Sequence, residues 1–210
     1  MAWSDTKMRP TTLIGQHAAL VPLDGDFHDD LIAAASDGEL WNLWYTSIPT
    51  PEGMRSEIQR RLRLQGEGSM RPFVVVDMRK DVPTHGKAVG MTSFMNIDGV
   101  NRRVEIGGTW YAKSVQRSVL NTECKLMLLN HAFETLDCIA VELRTHAFNE
   151  PGRAAIERIG AKLDGILRNH QINTHPDAMG SLRDTCVYSI TQSEWPAVEA
   201  HLTAWVARES

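Results

Sequence analysis

One stretch of this sequence decides the fold: it runs from Arg103 to Ala161 and reads RVEIGGTWYAKSVQRSVLNTECKLMLLNHAFETLDCIAVELRTHAFNEPGRAAIERIGA. Its apolar periodicity predicts a strand, a polar loop, a long helix, a second strand and a short helix, in that order. A strand, a crossover helix and a second strand in one sheet imply a parallel pair with a right-handed connection. We therefore expect the two strands that flank the long helix to be parallel.

The loop between the first of these strands and the long helix is polar and contains no acidic residue from Ala112 to Asn121. It leads into a helix that begins near Val119. The first N–H groups of a helix have no intrahelical partner, and the helix dipole favours negative charge there. The sequence therefore predicts an anion-binding site at this helix start.

The segments before this stretch predict an antiparallel meander. Strands predicted over Pro72–Met78, Ala88–Ile97 and Arg103–Tyr111 follow one another closely, and Asp98-Gly99 is a hairpin signal between the last two. The other predicted elements are a strand over Thr11–Leu23, helices over Phe27–Ala35 and Pro51–Leu64 with Asp26 and Thr50 as N-caps, the long helix over Val119–Leu136, a strand over Cys138–Thr145, a helix over Gly152–Ile159, strands over Leu163–Ile172 and Leu182–Ile190, and a last helix over Glu194–Arg208 capped by Ser193.

These elements predict an α+β fold of mixed α/β type. Its centre is a mixed, mostly antiparallel sheet of six or seven strands, with one parallel β-α-β crossover and helices on its flanks. The length of 210 residues suits a single domain over residues 1–210. Met1–Pro10 is polar and is expected to be a loose N-terminal segment.

The bulk composition is that of an ordinary soluble globular protein. Hydrophobic residues make up 42% and charged residues 23% of the chain, and a formal net charge of −4 predicts no general nucleic-acid footprint. Cys124, Cys138 and Cys186 lie in apolar runs and are too scattered for a disulfide framework or a zinc site, so they are expected in the core. Neither a signal peptide nor a membrane-spanning run is recognisable. We expect a cytoplasmic protein with no membrane, nucleic-acid or metal partner.

Short motifs occur along the chain in a particular order and spacing. They are Val104–Gly107 on the central strand, Gln116–Glu123 at the helix start, His131–Glu134, Val141–Thr145, Asn149, Arg153–Ala161, Gly165, Leu167–Arg168 and Arg183–Asp184. This series resembles the GNAT superfamily of acetyl-CoA-dependent N-acetyltransferases, and within it the branch that contains the ribosomal-protein N-terminal (alanine/serine) acetyltransferases. The resemblance extends over most of the chain, is strongest from 103 to 190, and implies the GNAT fold.

Two positions depart from the family pattern. The family loop reads Gln/Arg-x-x-Gly-x-Gly/Ala; Gln116 fits it, whereas Val119 and Asn121 stand at the small-residue positions. Backbone N–H groups can bind phosphate without glycine, which only eases a close approach. The second departure is Gly152, at a position where this branch commonly has Ser.

The resemblance implies acetyl-CoA as co-substrate, with backbone N–H groups from about Val115 to Thr122 holding its pyrophosphate. It also implies that Asn149 hydrogen-bonds the pantetheine arm and that Arg153 reaches a phosphate. The alternatives are a polar loop with an ordinary helix cap, turn chemistry at Asn149 and a solvated helix face at Arg153. The candidate cofactor-binding residues are Val115, Gln116, Arg117, Ser118, Asn121, Thr122, Asn149 and Arg153.

Acetyl transfer to an amine needs a base for the amine proton and donors for the oxyanion. Glu105, on the central strand, is the candidate base, and partial burial would raise its pKa toward a useful range. The alternative is a structural cross-strand pair with Arg102 or Arg103. Backbone N–H groups near the pair Gly107-Gly108 are the candidate donors, since adjacent glycines in a strand suggest a bulge or a close ligand approach.

The group that protonates the leaving thiolate is the least defined part of this site. Some relatives use a Tyr seven residues after the Asn, and Ile156 stands at that position here. Others in the branch use the Ser that Gly152 replaces. Tyr111 and water remain as candidates, and Tyr111 joins Glu105 as a candidate catalytic residue.

Aromatic residues between the first two helices could form the wall of an acceptor pocket. The candidates are Trp41, Trp44 and Tyr45, and core packing is the alternative. His170 and His175 flank a turn but lack a third ligand for a metal site, and the other histidines predict no cluster. The arginines of the following helix are interpreted as a solvated face rather than as ligands for an acidic acceptor; they are Arg55, Arg60, Arg61 and Arg63.

The sequence thus predicts an acyltransferase that moves acetyl from acetyl-CoA to a primary amine by direct attack in a ternary complex. The acceptor is a protein N-terminus or a small molecule, and a homodimer is possible by resemblance. The alternative is a CoA-binding regulatory module whose catalytic groups have decayed, which Gly152 and Ile156 favour. A nucleotide-binding enzyme is disfavoured, because the loop lacks the glycine fingerprint of dinucleotide folds.

Overall fold

The computed structural model describes residues 9–208, whose backbone forms one eight-stranded sheet flanked by helices. The strands are β1 (Leu13–Ile14), β2 (Ala18–Pro22), β3 (Met70–Asp77), β4 (Ala88–Asp98), β5 (Arg103–Tyr111), β6 (Ala140–His146), β7 (Lys162–Ile172) and β8 (Leu182–Thr191). The helices are α1 (His28–Ser36), α2 (Met54–Gly66), α3 (Val119–Asn130), α4 (Glu150–Arg158) and α5 (Trp195–Arg208). The segment predicted to be loose lies outside the described residues except for Arg9 and Pro10.

The sheet has the order β1-β2-β3-β4-β5-β6-β8-β7, and the mixed fold predicted from the sequence is confirmed. Neighbouring strands are antiparallel except for β5 and β6, which are parallel as predicted. The predicted count of six or seven strands was low. The first predicted strand breaks near Gly15 into a short hairpin, in which Leu13 pairs with Leu20 and Ile14 with Ala19.

Several helix boundaries and caps differ from the prediction. Helix α2 begins at Met54 rather than Pro51, and Gly53 rather than Thr50 is its N-cap. The long helix is α-helical only to Asn130 and continues as a π-helical turn over His131–Thr135, where the Leu136 N–H donates to the His131 carbonyl. At the first helix, the side chain of Asp24 rather than Asp26 caps the 3-10 turn Gly25–Phe27 that precedes α1.

The helices pack on the sheet through a continuous apolar core. Helices α1 and α2 pack against β4 and β3, whereas α3 packs against β1, β2 and α5. The three cysteines are fully buried within this core and are not disulfide-bonded. None of the helices in the described part of the chain has both the length and the apolar character that are needed to cross a bilayer.

A buried carboxylate fixes α3 to the edge of the sheet. Glu123 of α3 accepts hydrogen bonds from the backbone N–H groups of Gln16 at 2.8 Å, His17 at 2.7 Å and Ala18 at 2.8 Å. These groups belong to the β1–β2 turn and the start of β2. A buried carboxylate with three N–H donors satisfies both its own oxygens and the backbone of the turn. Glu123 therefore fixes the position of the first turns of α3 relative to β2.

Replacing Glu123 with Gln should lower the free energy of unfolding by about 2 to 3 kcal/mol, because the amide NH2 group would face backbone donors and leave one of them unpaired. Denaturant unfolding measures the change, and hydrogen exchange at residues 15–18 should accelerate. The exposed Glu67 is the control, and its change to Gln should alter stability by less than about 0.5 kcal/mol. Equal effects of the two changes would contradict the assigned role.

Candidate active site

The central feature of the site is the separation of β5 from β6. The two strands pair over only three positions, where Arg103 faces Ala140, Val104 faces Val141, and Glu105 faces Glu142. Beyond Glu105, β5 remains paired with β4 as far as Tyr111, and β6 remains paired with β8 as far as His146. The chain therefore leaves an opening between the two strands, and Glu105 lies at its closed end.

Glu105 is buried, with 7% of its surface exposed, and it belongs to a charged network. Its Oε2 accepts from Asn96 Nδ2 at 2.7 Å and lies 3.4 Å from Arg144 Nε. The facing Glu142 binds Arg103 and Arg144, with both closest N–O distances 2.7 Å. The carboxylate of Glu105 thus shares its only close cation with Glu142 among the described residues. The alternative pair with Arg102 or Arg103 is wrong, because Arg102 binds Asp137 and Arg103 binds Glu142.

The pKa of the Glu105 carboxyl is raised above its ordinary value. Burial is the largest cause, and repulsion from Glu142 adds to it. The hydrogen bond from Asn96 and the charges of Arg144 and Arg183 oppose this rise without cancelling it. A carboxylate with a raised pKa binds a proton more strongly, which suits a general base.

A bulge in β5 begins three residues beyond Glu105 along the opening. Ser93 of β4 pairs with Gly107 and Met91 pairs with Trp110, so Thr92 faces the two residues Gly108 and Thr109. Gly108 has φ +59°, a conformation that L side chains rarely adopt. The predicted bulge at the glycine pair is therefore present, and it turns the peptide groups around Gly108 out of the regular β5 ladder.

The interpretation of Arg61 as part of a solvated face was wrong, because its side chain is 2% exposed and lies against this bulge. The helical spacing of Met54, Ile58 and position 61 was the signal that could have found it. A second buried cation, Lys125 of α3, donates to Thr109 Oγ1 at 3.2 Å, and burial lowers its pKa to about 8.

The start of α3 has backbone donors without side-chain caps. Helix α3 has no side-chain hydrogen bond at its N-cap, and Ser118 Oγ instead donates to the Val115 carbonyl at 2.7 Å. Arg117 before it has φ +59° and an exposed side chain. The buried Oδ1 of Asn121 has no hydrogen-bond partner among the described residues. The uncapped N–H groups of this first turn fit the diphosphate end of a CoA molecule.

The structure narrows the set of loop residues that could bind a cofactor. The N–H of Val115 donates to Ala112 O at 3.1 Å, and the N–H of Gln116 donates to Lys113 O at 3.2 Å. The Gln116 side chain donates to Tyr111 O at 2.9 Å. These bonds hold the loop in shape and engage the N–H groups of Val115 and Gln116 within the protein. The N–H groups that remain extend from Arg117 into the first turn of α3, which includes Asn121.

Asn149, the candidate pantetheine ligand, caps α4. Its Oδ1 accepts from the Gly152 N–H at 3.0 Å, and its Nδ2 donates to Thr145 Oγ1 at 2.9 Å. A Cβ atom at position 152 would lie 2.3 Å from Asn149 Nδ2. The departure at Gly152 therefore has a physical consequence: it provides the space in which Asn149 folds over the helix start.

Two further candidates are held by intramolecular contacts. Arg153 Nε donates to the Tyr188 hydroxyl at 3.1 Å, and that hydroxyl donates to Glu157 at 3.0 Å. Thr122 is buried in α3, with 2% of its surface exposed. Arg153 could reach a phosphate only by leaving Tyr188, and a direct contact from the Thr122 side chain would need α3 to move.

Tyr111 does not have the position that a catalytic acid requires. It is 7% exposed, and its hydroxyl lies beside the Cys124 thiol with no conventional hydrogen-bond partner in residues 9–208. Burial raises its pKa well above the ordinary value. A phenol that is enclosed against α3 cannot readily exchange a proton with solvent, so its position does not support the prediction that Tyr111 is the leaving-group acid.

The candidate acceptor residues form an aromatic cluster at the end of β6. The Trp44 ring centroid is 5.7 Å from that of Tyr45, 5.0 Å from that of His146 and 6.1 Å from that of Phe148. Trp44 and Tyr45 are half-buried and lie outside the core, so the alternative of core packing does not hold. Trp41 has no ring contact with this cluster among the described residues, and its carbonyl lies 2.9 Å from His175 Nε2.

Sequence reasoning missed His146, which is 2% exposed and accepts the Phe148 N–H at Nδ1 at 3.1 Å. Burial is the largest cause that lowers its pKa, and the charge of Arg183 adds to this effect. The alternation of Glu142, Arg144 and His146 along one face of β6 was the available signal.

Comparisons with known proteins place the chain in one family. Residues 18–162 match the model of the acetyltransferase (GNAT) domain family. YdaF of Bacillus subtilis (strain 168), provisionally named a ribosomal N-acetyltransferase, is 35% identical over 112 residues, which are 52% of this chain and 57% of that protein. The match therefore spans little more than half the length of this relative.

Solved structures show the same fold. A GCN5-related N-acetyltransferase from Brucella melitensis superposes with a TM-score of 0.83 and 28% identity over 95% of this chain and 87% of that chain. Mycobacterium smegmatis RimJ in complex with CoA-disulfide has a TM-score of 0.76 over 93% of this chain and 94% of that chain, and its 20% identity shows the fold alone.

The fold and the opening beside an uncapped helix start are those of an acetyltransferase. The chain belongs to the GNAT acetyltransferase family, whose domain model matches well over half of its residues. The family resemblance that the sequence motifs indicated is thus confirmed.

The packing of Asn149 over Gly152 predicts a coupling between the two positions. Gly152→Ala should destabilise the protein by about 1 kcal/mol, because it displaces the cap. In an Asn149→Ala background the same change should stabilise the protein by up to about 1 kcal/mol, because alanine is the better helix former once the clash is gone. A double-mutant cycle from denaturant unfolding measures the coupling, and additive effects would contradict it.

Proposed function

We propose that this protein transfers the acetyl group of acetyl-CoA to a primary amine in a ternary complex. The observation that supports this most is the opening between β5 and β6, which has a buried carboxylate at its closed end and the uncapped start of α3 beside it. Membership of the GNAT family supports the same reaction and acetyl-CoA as its donor.

In this proposal the start of α3 binds the diphosphate of the donor. The N–H groups of Arg117 to Asn121 donate to phosphate oxygens, and the exposed guanidinium of Arg117 adds positive charge. Val115 and Gln116 keep the loop in its shape. The thioester arm then enters the opening between β5 and β6, and the bulge at Gly108 directs N–H groups toward its carbonyl.

Glu105 acts as the base in this proposal. The neutral amine attacks the thioester carbon, its proton passes to the Glu105 carboxylate directly or through water, and the C–S bond breaks with its electron pair on sulfur. The thiolate leaves with a proton from water. Ile156 and Gly152 provide no acid, and the Tyr111 hydroxyl is enclosed in the core.

The acceptor is proposed to enter on the side of the aromatic cluster, beside Trp44 and Tyr45. The name of the relative YdaF refers to ribosomal N-acetylation, so peptides with the free N-termini of ribosomal proteins are the first acceptors to test, followed by small primary amines. The half-buried Trp44 and the exposed Phe148 favour an acceptor with an apolar part next to its amine.

A second candidate function is a CoA-binding regulatory module without turnover. Two observations favour it: the position of the family tyrosine is Ile156, which packs against the core, and both polar atoms of Asn149 are engaged within the protein. A broad panel of amines, monitored by release of free thiol, separates the two functions. Binding of CoA without turnover on any acceptor would favour the module.

Glu105→Gln should lower turnover by about 100-fold or more, because the amide cannot accept the amine proton. Calorimetric binding of CoA should remain near −8 kcal/mol, which corresponds to a micromolar Kd. In the wild type, activity should fall as the pH falls through the raised pKa of Glu105, above the ordinary value of 4.5, since only the deprotonated form acts as base. This fall in activity at low pH should be absent in Glu105→Gln.

Glu67→Gln serves as the matched control, because Glu67 is exposed and lies on the C-cap of α2. It should leave both turnover and CoA affinity unchanged. Unchanged turnover in Glu105→Gln would show that Glu105 has a structural role, whereas failure of the wild type to bind CoA would overturn the proposed function altogether.

A further inference from the structure

Arg61 of α2 is the largest side chain that is fully enclosed by the described part of the protein. Its Nε donates to Glu57 Oε1 at 2.7 Å, its Nη1 to Ser93 Oγ at 3.1 Å and its Nη2 to the Gly108 carbonyl at 2.9 Å. These acceptors lie on α2, β4 and the β5 bulge. One guanidinium therefore joins the helix to the strand pair at the point where β5 leaves its regular ladder.

Packing alone does not explain a guanidinium at this position. Burial lowers the pKa of Arg61, which shows the cost of enclosing the charge, and Glu57 offsets this cost only in part. Replacing a buried ion pair with apolar side chains of similar volume is often neutral or stabilising. Position 61 continues the apolar face of Met54 and Ile58, where a methionine or leucine would fit the spacing. The guanidinium instead supplies a hydrogen bond to the Gly108 carbonyl that an apolar side chain could not make.

The contact with Gly108 determines the direction of the next peptide group. A peptide is planar, and its C=O and N–H point in opposite directions. Arg61 holds the Gly108 carbonyl, so the N–H of Thr109 must point away from Arg61. Gly108 has φ +59°, and a Cβ atom at this position would lie 3.1 Å from Arg61 Nη2, so the bulge and the guanidinium fit closely.

We infer that Arg61 is a positioning residue for acetyl transfer: it holds the β5 bulge so that backbone N–H groups beside Gly108 face the thioester carbonyl in the opening. This inference rests on the proposed function. During the transfer the new N–C bond forms, the carbonyl oxygen gains negative charge, and the C–S bond then breaks with its electrons on sulfur. The bulge N–H groups stabilise the charge on oxygen, whereas Arg61 exchanges no proton.

The chain offers a matched control in the neighbouring Arg60, which also binds Glu57, at 2.7 Å, but is 44% exposed and has no hydrogen bond to the bulge. Arg61→Met should lower kcat by about 10- to 100-fold, less than the roughly 100- to 1000-fold loss when an oxyanion donor itself is removed, with the Kd for CoA unchanged. Arg61→Lys should recover part of this loss. Arg60→Met should change neither value.

A second readout does not depend on turnover. Acetonyl-CoA, an unreactive ketone analogue of acetyl-CoA, reports the polarisation of its carbonyl through the infrared C=O stretching frequency. When the analogue is bound to the wild type or to Arg60→Met, its C=O frequency should be lower than in solution. When it is bound to Arg61→Met, this frequency should return toward the solution value. Ser93→Ala removes one hydrogen-bond acceptor of Arg61 and changes the side-chain volume little. It should shift the C=O frequency in the same direction by a smaller amount, and it replaces Arg61→Met in this test if that variant does not fold.

An unchanged infrared frequency and an unchanged kcat per CoA-binding site in Arg61→Met, with only a lower melting temperature, would overturn the inference and leave Arg61 a structural residue. Failure of the proposed function has a different signature. A wild type that binds CoA but acetylates no amine would rule out the proposed acetyl transfer. The infrared comparison of the wild type with Arg61→Met would still show whether Arg61 positions the bulge.

Discussion

The structure depends on one constraint in the sheet: β5 and β6 share only three paired positions before each strand continues with a different neighbour. A parallel pair that continued to the end of β6 would close the opening and satisfy its backbone groups internally. The crossover through α3 brings the two strands together at one end only. The same crossover places the start of α3 beyond the carboxyl end of β5, so that the anion site and the opening are adjacent.

The charges around the closed end of the opening explain why Glu105 differs from the other carboxylates. Glu142 faces Glu105 across the parallel pair, and it binds the guanidinium groups of Arg103 and Arg144 at short range. Glu105 retains only a 3.4 Å contact with Arg144 and the amide of Asn96. Burial is therefore not fully offset, and the pKa of Glu105 rises. Glu57 shows the opposite balance, since two arginines bind it and its pKa is lowered.

Much of the fold could be predicted from the sequence because the elements near the site have strong periodic patterns. The strand Arg103–Tyr111, its glycine pair and the helix start at Val119 were predicted with the boundaries that the structure has. The π-helical turn at His131 and the break in the first strand were not, because both depend on tertiary contacts: the first on packing of Ala132, Phe133 and Leu136 in the core, the second on Glu123.

The side-chain partners within the site were less predictable. Arg60 and Arg61 are neighbours of the same type, yet one is 44% exposed and the other enclosed, and only the helical spacing from Ile58 distinguishes them. Asn149 was identified by family pattern, but its rotamer is determined by the missing Cβ at Gly152. Tyr111 was a candidate because Ile156 and Gly152 offered no acid, but its side chain is buried in the core.

The most direct test of this account is a crystal structure of the protein with CoA. The account predicts that the pantetheine arm lies between β5 and β6, with its sulfur toward Glu105 and the Gly108 bulge, and that its diphosphate accepts hydrogen bonds from N–H groups between Arg117 and Asn121. A CoA molecule bound elsewhere, or β5 and β6 paired with each other as far as His146, would contradict it.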